Sequence, residues 1–304
     1  MPHAEGLSRR YAKLCDLQDF EDPELVAVMR EIQPGPDPAT HIERKTWEMG
    51  MLGLFLEDAG HLDGASDVLA VGAGTEPVLY WLANRVGRVV ATDIYGEGDF
   101  AGRESTASMV DSPAAHAPFP YREERLEARW MDARELDFPD ESFDVVYSLS
   151  SIEHFGSPRD IARSAQEIGR VLRPGGHAFI VTECFVRRHP RDTAPFEAAI
   201  RLLTLGRRCA IATPRRRATL DDVFSVRELR KRIVEPSGLR LMQPLERTLS
   251  RGSWENLARY APGSHDIVTT SGSFYPHILL EVSRSVFTSA ALAMEKPDRM
   301  RTNV

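Results

Sequence analysis

The chain has 304 residues, of which 42% are hydrophobic and 27% charged, and it carries a formal net charge of −7. This length suffices for one large domain or for a domain with an elaboration, while the acidic balance disfavours a nucleic-acid partner. No apolar run approaches the roughly 20 residues of a membrane span, and the N-terminal residues lack the apolar centre of a signal peptide. The three cysteines (Cys15, Cys184 and Cys209) are far apart, which argues against disulfides and against a zinc site. The sequence therefore predicts a cytoplasmic protein without a metal site.

Two helices are predicted ahead of the first buried strand. The first covers 23–32, with Asp22 as its N-cap and Pro23 at its first position. The second covers 41–59, where apolar residues recur at helical spacing. We interpret residues 1–60 as an N-terminal helical cap.

The most informative stretch lies between residues 67 and 93. It contains a buried strand, a glycine turn, a helix, and a second strand that ends in an acid: 67–71, Gly72-Ala73-Gly74, 75–86 and 88–93. Glycines let the backbone approach a ligand, and an acid ending the second strand can accept hydrogen bonds from both ribose hydroxyls. The pattern therefore predicts a nucleoside pocket that uses Asp93. A dinucleotide fingerprint needs glycine where Pro77 stands, so NAD and FAD are disfavoured.

Strands and helices continue to alternate after this unit. The predicted elements are strand 126–131, strand 143–148, helix 158–172, strand 177–183, helix 225–235 and strand 239–247. The last strand is expected at 278–284 or at 287–295, and the second position is favoured, while 250–276 is expected to be loop. This alternation is typical of an α/β fold with a doubly wound sheet.

Four motifs occur in a fixed order: VLAVGAGTE (68–76), ATDIYG (91–96), WMDARELDFPDESFDVVYSLSSIEHF (130–155) and EIGRVLRPGGHAFIVTE (167–183). Together they resemble the class I S-adenosylmethionine-dependent methyltransferases. Within that family, they look like enzymes of glycan and glycoside pathways. The resemblance implies a Rossmann-like sheet of seven strands, whose cofactor-binding core would cover 61–183 and whose C-terminal part would cover 225–304.

The resemblance also implies S-adenosyl-L-methionine as the cofactor. Asp93 would bind the ribose, and Asp132 with the Ala133 backbone would recognise the adenine. The full set of predicted cofactor-binding residues is Val71, Gly72, Ala73, Gly74, Glu76, Asp93, Ile94, Asp132, Ala133 and Ser148.

Two positions depart from the family pattern. Ala70 stands where an acid is usual, and Glu76 stands where glycine is usual. We hypothesise that Glu76, or a residue of segment 41–49, replaces the missing anchor for the ammonium group of the cofactor. The alternative is that Glu76 is a first-turn carboxylate favoured by the helix dipole.

The segment after the fourth strand holds the candidate catalytic residue, His154. An alcohol acceptor needs a base, and imidazole titrates in the useful range. The alternative is that His154 forms a pocket wall, and Glu153 is a candidate substrate contact with a structural alternative. The Asn/Asp-Pro-Pro-aromatic motif of amine-directed nucleic-acid enzymes is absent, which favours methyl transfer to oxygen.

The acceptor would be recognised by three segments outside the core, at 95–125, 184–224 and 250–284. The second segment, which we interpret as an inserted basic lid, contains nine arginines within 187–217, where the local charge is +7. Arginine binds carboxylate or phosphate bidentately, so the sequence predicts an anionic acceptor. The alternative is a solvated basic face, or one paired with the protein's own acids. The candidate acceptor-binding residues are Glu153, Arg187, Arg188, Arg191, Tyr275 and His277.

The sequence thus favours a methyltransferase acting on a hydroxyl of a small carboxylated or phosphorylated acceptor, most plausibly a saccharide or glycoside. The alternatives are a methyltransferase of a polyketide, lipid or other secondary metabolite, at oxygen, nitrogen or carbon, and a catalytically silent cofactor-binding protein. A homo-oligomer is compatible with the sequence, and a nicotinamide dehydrogenase is the least favoured reading.

Overall fold

The computed structural model describes residues 7, 9–98, 100–189, 194–205, 220–260, 267–268 and 276–298. Within these ranges, eleven strands form one mixed sheet with helices on both faces. The predicted α/β class is therefore confirmed. In the described part of the chain, no helix is long and apolar enough to cross a membrane.

The strands differ widely in length. They are β1 (Lys13–Leu14), β2 (Asp67–Val71), β3 (Arg88–Asp93), β4 (Leu126–Trp130), β5 (Phe143–Leu149), β6 (Leu172–Arg187), β7 (Arg240–Leu241), β8 (Ala258–Tyr260), β9 (Ile267–Val268), β10 (Leu280–Val282) and β11 (Ser285–Glu295).

The α-helices are α1 (Pro23–Ile32), α2 (Arg44–Asp58), α3 (Pro77–Ala83), α4 (Ser108–Asp111), α5 (Pro158–Val171), α6 (Ala194–Leu203), α7 (Val226–Leu229), α8 (Glu235–Ser237) and α9 (Arg251–Glu255). A π-helical stretch, Arg230–Val234, joins α7 to α8. Short 3-10 helices lie at Leu17–Glu21, Pro113–His116, Glu123–Arg125 and Ile152–His154.

The strand order is β4-β3-β2-β5-β6-β11-β10-β8-β9, and β1 and β7 also pair with β11. The first five strands of this order are parallel, and β11 is antiparallel to β6. Ala70 in the central strand β2 pairs with Ala91 on one side and with Tyr147 on the other. The carboxyl ends of the five parallel strands therefore meet at one edge, where ligands bind in such sheets.

Each face of the sheet carries its own apolar core. On one face, Trp47 and Phe55 of α2 pack with Trp81 of α3. On the other face, Ile161 and Ile168 of α5 pack with residues of the π-helical stretch. Because β2 and β3 are buried on both faces, their sequences are continuous apolar runs, which is why they could be recognised.

Several predicted elements are confirmed with the same bounds, including strands 67–71 and 88–93 and helix 23–32. Helix 75–86 is shorter, since Pro77 occupies its first position and Asn84 its C-cap. Strand 239–247 was wrong in length: β7 ends at Leu241, and Pro244 beyond it has no backbone N–H to donate to a strand.

In the described part of the chain the sheet has eleven strands rather than seven, because four short ones, β1, β8, β9 and β10, extend the β11 side. Two of them contradict the expectation of a loop at 250–276, which also contains α9, capped by the Ser250 hydroxyl. Both candidate last strands exist, as β10 and β11, and β6 continues beyond 183 to Arg187. The division into cap, core, lid and C-terminal part stays a prediction.

Candidate functional site

Two adjoining cavities, of about 600 and 210 Å³, open above the carboxyl ends of the parallel strands. Residues from the glycine turn, the end of β3 and the segment after β5 line both cavities: Gly72, Asp93, Ile94, His154 and Phe155. The smaller cavity continues towards Asp132, and the larger one towards Lys45 and Glu76. The structure therefore brings most of the predicted cofactor-binding residues, together with His154, around one elongated space.

The glycine turn forms the floor shared by the cavities. Gly72 has a φ of 68° and Gly74 a φ of 51°, in the left-handed region that favours glycine. A Cβ on Gly72 would lie 2.6 Å from Cβ of Ser151, and one on Gly74 would lie 2.7 Å from the carbonyl oxygen of Glu104. Both positions thus require glycine for conformation and for space.

Asp93 lies where the two cavities meet. Its Oδ2 accepts a hydrogen bond from the Gly74 N–H at 2.9 Å, and its Oδ1 accepts one from the Ser105 hydroxyl at 2.9 Å. Burial raises the pKa of this carboxyl above its ordinary value. Each carboxylate oxygen keeps a further lone pair, so Asp93 can accept hydrogen bonds from two ligand hydroxyls. Sequence reasoning missed Ser105, which belongs to an irregular segment without periodicity.

The smaller cavity ends at Asp132 and Ala133, with Met131 and Arg134 beside them. Nε of Arg134 lies 2.9 Å from both carboxylate oxygens of Asp132. This hydrogen-bonded guanidinium lowers the pKa of Asp132 below its usual value. The carboxylate is therefore held ionised, as an acceptor for an exocyclic amine, and Arg134 is the partner that sequence reasoning did not assign.

The larger cavity ends at Lys45 of α2 and Glu76, which immediately precedes α3, and these two side chains form an ion pair. Nζ of Lys45 also donates to the carbonyl oxygen of Leu149 at 3.1 Å. Segment 41–49 thus reaches Glu76, so the two alternatives for the missing anchor lie next to each other. The residue it supplies next to Glu76 is a cation rather than a second acid.

His154 lies on the wall common to both cavities. Its Nδ1 lies 3.7 Å from Oδ2 of Asp222, and its ring packs edge-on against Phe100 with centroids 4.8 Å apart. A carboxylate at Nδ1 favours the tautomer whose Nε2 can accept a proton. Asp222 was missed, because nothing in the sequence connects it to a histidine so far along the chain.

Glu153 points away from the cavities into the protein. It is 4% exposed, and its Oε2 accepts a hydrogen bond from the Thr182 hydroxyl at 2.8 Å. Burial, reinforced by the nearby Glu183 carboxylate, raises the pKa of Glu153 to about 8. Its contacts match the structural alternative rather than the predicted substrate contact.

Three predicted cofactor residues, Val71, Ala73 and Ser148, are buried and line neither cavity. The Ser148 hydroxyl has no hydrogen-bond partner among the described residues. Ser150 and Ser151 line the larger cavity instead, because β5 ends at Leu149 and the chain turns there. The predicted position was thus two to three residues too early.

The predicted acceptor-binding arginines that the structure describes are paired with the protein's own acids. Arg187 lies 3.7 Å from Glu281, and Arg188 lies 3.5 Å from Glu228. Neither lines the two cavities. Arg191 and Tyr275 lie outside the described residues, as do the arginines at 207, 208, 215, 216 and 217 and the side chain of Arg201.

His277 is also away from the cavity walls. Its carbonyl oxygen accepts a hydrogen bond from the Arg44 N–H at 3.2 Å, which joins it to the start of α2. Burial, with the Arg44 charge nearby, lowers the pKa of His277 to about 4, so its imidazole is neutral at physiological pH. Among the residues that could be placed, no group of three His, Cys, Asp or Glu side chains is suited to a metal ion.

Residues 69–180 match the family described as a methyltransferase domain. A phosphatidylethanolamine N-methyltransferase of Cereibacter sphaeroides is 35% identical over 136 residues, 45% of this chain and 57% of that protein. A 27-O-demethylrifamycin SV methyltransferase of Amycolatopsis mediterranei (strain S699) is 44% identical over 54 residues, 18% of this chain and 19% of that protein. The chain thus spans little more than half of the first relative's length and about a fifth of the second's.

The fold has a solved counterpart in a Galdieria sulphuraria structure assigned provisionally as a sarcosine dimethylglycine methyltransferase. The TM-score is 0.50 at 15% identity, with 82% of this chain and 85% of that chain covered. This likeness extends the agreement in fold well beyond the 112 residues matched by the family.

The parallel sheet, the glycine turn and the acid ending β3 define a nucleoside-binding α/β protein of the methyltransferase type. Residues 69–180 carry a methyltransferase domain of the class I S-adenosylmethionine-dependent type. The residues present fit this cofactor: the turn admits no Cβ at Gly72 or Gly74, and Asp93 stands at the junction of the cavities. Asp93 would hold the ribose, and Asp132 with Ala133 would hold the adenine.

Proposed function

We propose that this protein transfers a methyl group from S-adenosylmethionine to a hydroxyl of a small acceptor. The observation that carries the proposal is the position of His154, on the wall common to both cavities and with Asp222 at its Nδ1. The cofactor, when bound, supplies a methyl group activated by its sulfonium sulfur. The protein must orient the acceptor and provide a base that accepts the proton of its hydroxyl group.

His154 is that base. Its Nε2 would take the proton of the acceptor hydroxyl as the oxygen becomes a nucleophile. Asp222 would hold the other ring nitrogen in its protonated form and stabilise the imidazolium that results. Phe100, packed against the ring edge, would limit its rotation and help to exclude water.

Within the finer prediction, the anionic character of the acceptor is supported only by the arginine content of residues 187–217, and its saccharide or glycoside nature only by the resemblance of the motifs. The described walls give it no support. Glu76, Asp93, Glu97 and Glu104 line the larger cavity, and Lys45 is the one lysine or arginine among its lining residues, already paired with Glu76. The anionic acceptor therefore depends on arginines outside the described ranges.

A second candidate function is methyl transfer to an amine. The same acidic wall would attract an amine-bearing acceptor, and one relative is a phosphatidylethanolamine N-methyltransferase. In that reaction His154 would again receive a proton, since an amine must be neutral to act as a nucleophile. The other relative is a 27-O-demethylrifamycin SV methyltransferase. Methyl transfer to a polyketide hydroxyl is therefore also compatible with the first candidate function.

An acceptor panel tests these candidates against each other. Matched pairs of hydroxyl and amine compounds, each in anionic, neutral and cationic form, would be incubated with labelled S-adenosylmethionine and analysed by product mass. The proposal predicts methylation of hydroxyl members that is lost in the His154→Ala variant. Methylated amines alone would establish the second candidate, and cofactor binding without any product would favour a silent protein.

A further inference from the structure

The end of the larger cavity is built around the ion pair of Lys45 and Glu76. The side chain of Glu76 is 14% exposed and that of Lys45 is 41% exposed, so both can be reached from the cavity. Glu76 is the N-cap residue of α3, yet its side chain makes no capping hydrogen bond. The carboxylate is therefore not explained by a role in starting the helix.

A second carboxylate lies behind Lys45. Glu48 is 2% exposed, and its Oε1 accepts hydrogen bonds from the Ser150 hydroxyl at 2.8 Å and from the Ser289 hydroxyl at 2.6 Å. Its Oε2 is 3.6 Å from Nζ of Lys45 and has no hydrogen-bond partner among the described residues. Lys45 thus stands between two carboxylates, one on the cavity wall and one inside the protein.

We propose that Lys45 and Glu76 bind the zwitterionic α-amino-acid end of the cofactor. Glu76 takes the ammonium group and Lys45 takes the carboxylate, while the free oxygen of Glu48 takes over as the internal partner of Lys45. This inference rests on the proposed function, because it assigns one end of the cofactor that the function requires. Ala70, buried within β2, supplies no charge for this purpose.

The exchange of ion-pair partners on cofactor binding leaves no charge unpaired. An ion pair inside a partly buried cavity loses its partners only at a high cost unless each charge finds a new one. A zwitterion brings one charge of each sign, so both members of the pair stay compensated when it binds. Glu48 keeps the ammonium group of Lys45 paired during the change, and its buried side chain is held in place by two serine hydroxyls.

Two related ligands isolate this end of the cofactor. S-adenosylhomocysteine carries the amino acid, whereas 5′-methylthioadenosine has the same adenosine and a sulfur but lacks the amino acid. Titration calorimetry would measure the dissociation constants of both ligands for the full chain and for the Glu76→Gln, Lys45→Met and Glu48→Gln variants. Glu57→Gln is the matched control, since Glu57 is an exposed carboxylate of α2 that lines neither cavity.

We expect Glu76→Gln and Lys45→Met each to weaken S-adenosylhomocysteine binding at least about tenfold, the range for one charged hydrogen bond. Neither variant should change the affinity for 5′-methylthioadenosine by more than about twofold, and Glu57→Gln should leave the affinity for both ligands unchanged. Glu48→Gln, acting through Lys45, should weaken S-adenosylhomocysteine selectively but less.

Two outcomes overturn the inference and leave the proposed function standing. One is binding of both ligands with an affinity ratio that Glu76→Gln and Lys45→Met leave unchanged. The other is a loss of both ligands in equal measure, which would indicate a structural role for the ion pair. If the unaltered chain binds neither ligand, the proposed function itself fails.

Discussion

At the scale of single residues, the proposed chemistry depends on His154 and Asp222. Their separation of 3.7 Å between Nδ1 and Oδ2 is long for a hydrogen bond, and such contacts tighten when ligands bind. We expect His154→Ala to lower the turnover rate for a hydroxyl acceptor by about 100-fold or more, the usual contribution of a general base. Asp222→Asn should cause a smaller loss.

The check is a steady-state assay with an acceptor from the panel, paired with calorimetry of S-adenosylhomocysteine. Because neither residue is assigned to the cofactor, its dissociation constant should remain within about threefold. A His154→Ala variant that keeps full turnover would reduce His154 to a wall residue, which was the alternative from the sequence.

Glu153 makes a second residue-scale prediction, on stability. Its pKa is raised from 4.5 to about 8 in the folded chain, so the folded state keeps a proton that the unfolded state has released. This group therefore makes the protein less stable as the pH rises from about 4.5 to 8. Glu153→Gln, which imitates the protonated form, should remove that slope.

Chemical denaturation at pH 6 and at pH 9 measures the Glu153 effect. The free energy of unfolding of the Glu153→Gln variant should change less between the two pH values than that of the unaltered chain. Parallel pH dependence in the two proteins would show that Glu153 is ionised throughout.

At the scale of elements, the glycine turn between β2 and α3 has little tolerance for an added side chain. Gly72→Ala would force a Cβ against Ser151 and the Phe155 ring, in addition to the strain of a φ of 68°. Gly102→Ala is the matched control, since Gly102 has a φ of 72° with open space around it. The control should lose roughly 1–2 kcal/mol from backbone strain alone.

We expect Gly72→Ala to lose more stability than Gly102→Ala and to bind S-adenosylhomocysteine at least about tenfold more weakly, because the turn forms the cavity floor. Urea denaturation and calorimetry measure the two effects. Equal stability losses in the two variants would mean that the turn can shift to admit a Cβ.

The strands and helices also differ in how well the sequence could predict them. Strands 67–71 and 88–93 were predicted with the observed bounds because burial on both faces leaves an unbroken apolar run. Cavity residues at the end of those strands or directly after them, such as Asp93 and Gly72, could be predicted for the same reason. The length of strand 239–247 was wrong because its apolar residues outweighed the signal of Pro244.

Contacts between distant segments could not be predicted. Asp222 meets His154, and Lys45 meets Glu76, only because the fold brings separate elements to one edge of the sheet. Ser105 supports Asp93 from a segment with no periodicity to interpret. Local positive charge alone also did not predict which residues line the cavities, since Arg187 and Arg188 pair with the protein's own acids.

At the scale of the whole molecule, a partly buried histidine pair joins the segment after α2 to β6. Nε2 of His61 lies 2.8 Å from Nδ1 of His177, and Nδ1 of His61 lies 3.1 Å from the Ser66 hydroxyl. Burial, with His61 adjacent, lowers the pKa of His177 from 6.5 to about 4. The pair is therefore neutral at physiological pH, with one ring donating to the other.

This pair predicts sensitivity to acid. Between about pH 6.5 and 4, His177 binds a proton in the unfolded chain but not in the folded chain. The free energy of unfolding should therefore fall as the pH falls through that window. Thermal unfolding of the His177→Gln variant, compared with the unaltered chain across the window, should show a shallower slope. An unchanged slope would assign the acid sensitivity to other groups, such as the carboxylates.

The central claim is that the joined cavities hold S-adenosylmethionine with its ribose on Asp93. Titration calorimetry of S-adenosylhomocysteine against the unaltered chain and the Asp93→Asn variant tests it most directly. We expect one site per chain and at least about a tenfold weaker affinity in the variant, since an amide replaces an ionised acceptor. Absence of binding to the unaltered chain, or equal affinity in the two proteins, would contradict it.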